Sequence, residues 1–170
     1  LIKGVAKDTN VARVMIVGVP DEPGIAFKIF SRVAKAHVNV DIILQSIGRD
    51  GTKDIAFTVP ARCGEEAVAA LQEYCDMMGA QELRCETDVA KISIVGAGME
   101  THEGVAARMF EALSDANINI QMISSENRGI NVGRQSLNKI FIITKIHAES
   151  LRNPFKDFLD WMSHFLHNLI

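Results

Sequence analysis

The sequence has no large excess of charge of either sign. It carries 18 basic and 21 acidic residues in 170, a formal net charge of −3, and the basic residues are spread along the chain. Phosphate backbones bind to a concentrated basic stripe, so we expect no nucleic-acid partner. No apolar run approaches the roughly 20 residues that span a bilayer, and no charged-then-apolar leader opens the chain. We therefore expect a cytoplasmic protein with no membrane partner.

Cysteine is scarce and catalytic signatures are missing. Cys63, Cys75 and Cys85 lie at least ten residues apart and form no C-x-x-C pair, so we expect no disulfide framework. The sequence contains no phosphate-binding G-x-x-x-x-G-K-[ST] loop, no G-x-S-x-G elbow and no cysteine-nucleophile signature. We expect no catalysis and no cofactor in this chain. Because it starts at Leu1 rather than methionine, a natural fragment and a cut piece of a longer protein both stay open, and so does a partner domain outside this sequence.

Two partial motifs fail on their spacing. Gly96-Ala97-Gly98 begins like a dinucleotide-binding turn, but Thr101 occupies the place of the third glycine. His102-Glu103 begins like the H-E-x-x-H zinc motif, but Ala106 occupies the place of the second histidine. We therefore predict no metal site, and we expect His102 to lie in a loop at a helix start.

The chain repeats itself. A set of residues recurs at an offset of 78, which rises to 80 after a short insertion. The recurring residues are Ile16-Val17-Gly18, Gly24-Ile25-Ala26, Phe30, Ala36 and Asn39, matched by Ile94-Val95-Gly96, Gly104-Val105-Ala106, Phe110, Ala116 and Asn119. This spacing indicates two copies of one supersecondary unit rather than a solenoid of short repeats.

The first copy alternates between strand and helix periodicity. Apolar residues recur every two residues in the strand-like segments and every three or four in the helix-like ones, and Asp50-Gly51 supplies the positive φ that a tight hairpin needs. We predict strands at 13–18, 38–44, 55–59 and 83–86, a helix after Gly24 and a second helix around 68–78. This order is the βαββαβ pattern of a ferredoxin-like plait.

The second copy starts in the same way and ends differently. After Gly129 the sequence has no clear counterpart in the first copy, although 140–143 has the pattern of a strand. Asn153-Pro154 is a good helix start, and an apolar stripe then continues to Leu169. We expect this stripe to pack on a core, with a subunit contact as the alternative.

The segment between the first strand and the first helix has the chemistry of an amino-acid site. A helix N-terminus favours a carboxylate, and Gly24 allows close approach to the backbone. Asp21 is suited to an ammonium group, while Asn39 and Gln45 offer amide donors and acceptors on the next strand. The alternative is that this segment is only a turn with a helix cap.

Several long strings resemble the regulatory ACT pair of bacterial aspartate kinases. They are Val17-Gly18-Val19-Pro20-Asp21-Glu22-Pro23-Gly24, Asp54-Ile55-Ala56-Phe57-Thr58-Val59-Pro60, Val95-Gly96-Ala97-Gly98-Met99 and Asn117-Ile118-Asn119-Ile120-Gln121-Met122-Ile123-Ser124. The resemblance implies an α+β fold of two tandem ferredoxin-like βαββαβ ACT domains, at 11–88 and 89–170. It also implies that a lead-in strand at 1–8 joins the sheet of the second domain. The match ends near Glu126, where the family continues with a Ser-Thr-Ser-Glu-Ile string that is absent here.

The resemblance also implies feedback control. In that family an end-product amino acid binds between ACT units of two subunits and shifts a catalytic domain between active and inhibited states. Carried over by position, the first effector site consists of Asp21, Gly24, Ile25, Ala26 and Gln45, with Asn119 and Ile120 contributed by the second unit of a partner chain. A related second site consists of His102, Gly104, Val105 and Ala106.

We therefore expect the regulatory part or subunit of an aspartate kinase, binding threonine and/or lysine and forming a homodimer through its ACT domains. ATP and Mg would belong to a catalytic domain or subunit that this sequence does not contain. One alternative is a stand-alone ACT-pair amino-acid sensor or dimerisation module for another enzyme. Another is a ferredoxin-like structural module that binds no ligand.

Overall fold

The computed structural model describes residues 2–47, 50–97, 105–115, 118–128 and 137–145. Backbone contacts divide the chain into two compact units, the first formed by 9–89 and the second by 1–8 together with 90–170. The predicted helix after Asn153-Pro154 lies outside the described residues.

Strands and helices alternate along most of the described chain. In chain order they are β1 Ile2–Asp8, β2 Ala12–Pro20, α1 Ile25–Lys35, β3 Ile43–Ile47, β4 Thr52–Val59, α2 Gly64–Met78, β5 Glu82–Glu86, β6 Val89–Ala97, α3 Val105–Asp115, β7 Ile120–Arg128 and β8 Leu137–Lys145. A short 3-10 turn, Ala61–Cys63, leads into α2.

The first unit is a four-stranded antiparallel sheet in the order β3-β4-β2-β5. Alternate residues of the central strands β2 and β4 lie opposite each other and pack against α1 and α2. The fully buried side chains of this core include Val14, Ile16, Phe57, Ile29 and Leu71. The predicted ferredoxin-like βαββαβ fold is therefore confirmed for this unit.

The strand predicted at 38–44 starts later, at Ile43. Val38 and Ile42 are buried, as the period-two pattern predicts, but the segment pairs irregularly with β4. The Ile42 amide donates to the Thr58 hydroxyl over 3.1 Å, and the Thr58 amide donates to the Ile42 carbonyl over 2.9 Å. A side chain thus takes the place of one backbone acceptor, which explains why regular pairing begins only at Ile43.

The second unit repeats this sheet with one strand drawn from the start of the chain. Its order is β1-β6-β8-β7, so β1 holds the edge position that β5 holds in the first unit. β1 pairs antiparallel with β6, with Val5 opposite Ile94 and Asp8 opposite Lys91. The strand predicted at 140–143 lies within β8, which pairs antiparallel with β7 and extends further at both ends.

Candidate functional site

The candidate site begins at a bulge in β2. The register between β2 and β4 shifts around Gly18, whose φ is +70°. The backbone N–H of Gly18 donates to the Asp54 carboxylate over 3.0 Å, and the backbone N–H of Gln81 donates to the Val17 carbonyl over 2.9 Å. A Cβ on Gly18 would stand 2.6 Å from the Gln81 side chain. Glycine is therefore favoured here both by the backbone dihedral and by the space.

The predicted strand end at Gly18 is thus an interior bulge, and β2 continues to Pro20. Beyond the bulge the chain is tied to the β3–β4 hairpin. The Asp21 amide donates to the Gly51 carbonyl over 2.9 Å. The Asp21 carboxylate forms an ion pair with Lys53, with 2.5 Å between Oδ1 and Nζ. The Asp21 loop, residues 20–24, is therefore fastened to the start of β4 by a backbone bond and a side-chain bond.

The hairpin loop has the positive φ that Asp50-Gly51 predicts, although the loop is longer than a tight turn. Asp50 has a φ of +55° and Gly51 a φ of +74°. Ile47 pairs with Lys53 across the hairpin, so five residues separate the paired ends, and Asp50-Gly51 belong to the half of this loop that leads into β4. This turn fixes the carbonyl of Gly51 where the Asp21 amide reaches it.

The loop ends at the open N-terminus of α1. Gly24 occupies the cap position with a φ of +87°, and no side chain caps this end. The Lys28 amide donates to the Gly24 carbonyl over 3.0 Å, so the amides of Ala26 and Phe27 precede the first intrahelical bond that this carbonyl accepts. A Cβ built on Gly24 meets nothing within 4 Å. The helix end is therefore open, with a partial positive charge that favours an anion.

The charges around this end of the helix complement an amino-acid zwitterion. The first turn of α1 contains no acidic side chain, while Arg32 and Lys35 lie in its last turn. The Asp21 carboxylate lies in the loop that leads into the helix. A ligand carboxylate directed at the free amides and a ligand ammonium directed at Asp21 would both meet opposite charge.

Of two further predicted ligand contacts, Asn39 lies away from the Asp21 loop and Gln45 lies near it. Asn39 is exposed and follows the end of α1. Since an 11-residue helix is about 16 Å long, the structure does not bring Asn39 to Gly24 within one unit. Gln45 lies opposite Ile55 on the edge strand β3, and it shares a sheet face with Lys53. Diagonal neighbours of this kind are about 7 to 8 Å apart, within reach of two long side chains.

The residues predicted for the second unit are only partly described. Val105 and Ala106 begin α3, as a helix-start site requires, whereas His102 and Gly104 lie outside the described residues. Asn119 is exposed just before β7, and its carbonyl accepts a bond of 2.8 Å from the Thr144 hydroxyl. Ile120 follows as the half-buried first residue of β7.

Sequence reasoning missed the residues that hold the Asp21 loop in place. Lys53, Asp54 and Gln81 make the contacts described above, and none of them belongs to a recognisable binding motif. The Asp50-Gly51 turn places Lys53 and Asp54 at the start of β4, but it indicates only their partners on β3 and not those on β2. The register shift at Gly18 then decides which residues face each other.

Cys75 is buried and Cys85 is partly buried. Burial and, secondarily, the neighbouring Asp76 raise the pKa of the Cys75 thiol to about 11. Burial, with smaller contributions from Glu65 and Glu86, also raises the pKa of Cys85. Both thiols are therefore protonated and weakly nucleophilic at neutral pH.

Among the described side chains, no cluster of His, Cys, Asp and Glu is arranged to hold a metal ion. In the same ranges, no helix combines the length and apolarity needed to cross a bilayer.

The sequence matches the family model of the ACT domain at residues 14–74 and 92–133. It is 47% identical over 132 residues, 78% of this chain, to an aspartate kinase of Stutzerimonas stutzeri (strain A1501). An aspartokinase of Helicobacter pylori (strain 26695) is 45% identical over 132 residues, again 78% of this chain. The chain spans only 32% of the length of each of these relatives.

Two solved structures cover nearly the same region. The ligand-free regulatory subunit of aspartate kinase from Thermus thermophilus is 33% identical with a TM-score of 0.73, over 91% of this chain and 97% of that one. A structure of aspartokinase alpha and beta subunits contains a chain that is 35% identical with a TM-score of 0.71, over 92% of this chain and 99% of that one. The class is therefore a tandem ACT pair. Within that class, the chain belongs to the family of aspartate kinase regulatory regions.

Proposed function

We propose that this chain binds a free amino acid and thereby confers feedback control by threonine and/or lysine on an aspartate kinase. The chain supplies the effector site, and the kinase chemistry, with its ATP and Mg, belongs to a catalytic domain or subunit outside it. The observation that carries the proposal is the open N-terminus of α1, reached through the positive-φ Gly24 and preceded by the Asp21 carboxylate.

The ligand groups fit this arrangement one by one. The backbone N–H groups of Ala26 and Phe27 donate hydrogen bonds to the α-carboxylate, because an uncapped helix end favours an anion. Gly24 carries no side chain to obstruct the approach. Asp21 takes the α-ammonium through a charge-assisted hydrogen bond, and Gln45 contacts the ligand from the edge strand.

A second copy of the chain completes the site. As the family resemblance implies, Asn119 and Ile120 of the copy's second unit would close over a ligand held by the first unit. Three exposed apolar side chains support this contact: Phe27, which is 76% exposed in the first turn of α1, Ile43 on the edge strand β3, and Ile123 on the edge strand β7. Open sheet edges with apolar side chains are favoured sites of association.

Calorimetric titration of the chain with threonine, lysine and a panel of other amino acids tests the proposal, with molecular mass followed by light scattering. We expect saturable binding coupled to an increase in mass. Asp21→Asn should weaken binding about tenfold or more, since a hydrogen bond to a charged group contributes roughly 1.5–3 kcal/mol. Glu73→Gln removes an exposed carboxylate from α2 and serves as the matched control.

Failure of every amino acid to bind would refute the proposal and favour a purely structural ACT pair. Equal affinity of Asp21→Asn and the parent chain would exclude Asp21 from the site. Binding without any effect on a co-expressed aspartate kinase catalytic region, but with control over a different co-purifying enzyme, would favour the stand-alone sensor.

A further inference from the structure

The carboxylate that the proposed function assigns to the ligand already has a partner. Asp21 Oδ1 lies 2.5 Å from Lys53 Nζ. Both side chains are partly exposed, Lys53 at 27% and Asp21 at 49%. An incoming ammonium group therefore reaches a carboxylate that a protein ammonium already neutralises.

The backbone holds Lys53 at this place on both sides. Lys53 lies opposite Val19 on β2 and opposite Ile47 on β3. The next residue, Asp54, bonds the amide of Gly18 at the bulge over 3.0 Å. The lysine stem thus starts from the centre of three paired strands, and only its outer part is free to turn away from Asp21.

The chemistry of the two partners is closely matched. A lysine ammonium and a ligand α-ammonium carry the same charge and donate the same hydrogen bonds. They compete for one carboxylate, so ligand binding is an exchange of cations and not an addition to an empty site. The displaced lysine remains tethered beside the ligand by its backbone.

We infer that Lys53 is the resident counter-cation of Asp21, which the ammonium of the effector displaces, and that Lys53 thereby sets the affinity of the first-unit site. The inference rests on the proposed function, because it requires a ligand ammonium at Asp21. Lys53 acts through Asp21 and is a positioning residue, which a double-mutant cycle detects.

The first test is calorimetric titration of Lys53→Gln with the amino acid that binds the parent chain. We expect affinity to rise about two- to fivefold, since exposed ion pairs of this kind are worth little and partial exposure screens them. Lys53→Arg should bind like the parent because it keeps the positive charge. Lys35→Gln removes an equal charge at the far end of α1 and should also bind like the parent.

The cycle is completed in the Asp21→Asn background. There, Lys53→Gln should change affinity by less than twofold, because the carboxylate for which the two cations compete is gone. Weaker binding of Lys53→Gln in the Asp21-containing chain would overturn the inference and assign Lys53 to the ligand carboxylate instead. An equal effect of Lys53→Gln with and without Asp21, or no effect in either, would overturn it too.

A second measurement uses the unaltered chain and therefore does not depend on a variant folding. Mild acetylation followed by mass spectrometry reports how freely each lysine ammonium reacts. We expect the reactivity of Lys53 relative to Lys35 to rise when the effector is added, because Lys53 is released from Asp21. An unchanged or lower ratio would overturn the inference. Absence of saturable binding by the parent chain in calorimetry would instead overturn the proposed function, and the inference with it.

Discussion

Replacing Gly18 by alanine tests whether the bulge in β2 requires a glycine. The φ of +70° places an alanine in the left-handed region, at a cost of about 1–2 kcal/mol. The new Cβ would stand 2.6 Å from Gln81 Cγ and 2.7 Å from Gln81 Cδ. Gln81 is exposed, so its side chain can move away, at a further cost of about 0.5–1.5 kcal/mol. Reduced freedom of the unfolded chain offsets about 0.4–1 kcal/mol.

We therefore expect Gly18→Ala to lower the free energy of unfolding by about 0.5–3 kcal/mol, the backbone and steric costs less the offset from the unfolded chain. Gly24→Ala is the matched control, because its φ of +87° imposes a similar dihedral cost while nothing lies within 4 Å of its Cβ. Gly24→Ala should be the less destabilising of the two. In a Gln81→Ala background, Gly18→Ala should approach Gly24→Ala.

Urea unfolding followed by far-ultraviolet circular dichroism is a suitable assay, since the helices α1 and α2 belong to the same unit as Gly18. The reasoning is refuted if Gly18→Ala is no more destabilising than Gly24→Ala. It is also refuted if removing the Gln81 side chain leaves the difference between the two variants unchanged.

Two further predictions concern the core of the first unit. Arg13 is buried and donates from Nε over 3.1 Å and from Nη2 over 2.5 Å to Glu86, so Arg13→Ala should lower the free energy of unfolding by about 3 kcal/mol. Arg84→Ala, which removes a more exposed partner of Glu86, should lower the free energy of unfolding by less than about 1 kcal/mol. Equal losses of stability for Arg13→Ala and Arg84→Ala in urea titrations would contradict this. Burial raises the pKa of Cys75 from 9.0 to about 11, so the unfolded state loses its proton first. Stability from this group should be complete below pH 9 and decline between pH 9 and 11. Cys75→Val should show a shallower decline over that range in the same assay, and parallel pH profiles would refute the assignment.

Much of the first unit follows from local patterns in the sequence. Strand and helix periodicity located its six elements, and Asp50-Gly51 located the hairpin, because these signals depend on residues close in the chain. The start of β3 did not follow, since it depends on the hydroxyl of Thr58, which lies sixteen residues from Ile42.

The contacts around Asp21 were less predictable from the sequence than the residue types of the candidate site. The Asp21–Lys53 pair depends on a register shift at Gly18, and a glycine after a strand pattern is equally typical of a strand end. The period-two pattern places Asn39 and Gln45 on the polar face of one strand, and the sequence therefore assigns both to the site at Gly24. The length of α1 separates Asn39 from Gly24 within one unit, so a ligand shared by these two positions would need a second chain.

The place of β1 makes the first unit an insertion within the second. The second sheet needs β1 at its edge beside β6, yet residues 9–89 intervene between these two strands. During synthesis β1 is therefore made before the first unit. Its pairing partner β6 follows about eighty residues later, after the first unit. The first unit is one continuous stretch of sequence, whereas the second is made of two stretches. To produce the second unit alone, residues 2–8 would have to be linked directly to the segment that begins at residue 90. The first unit can be produced alone by cutting the chain once on each side of it.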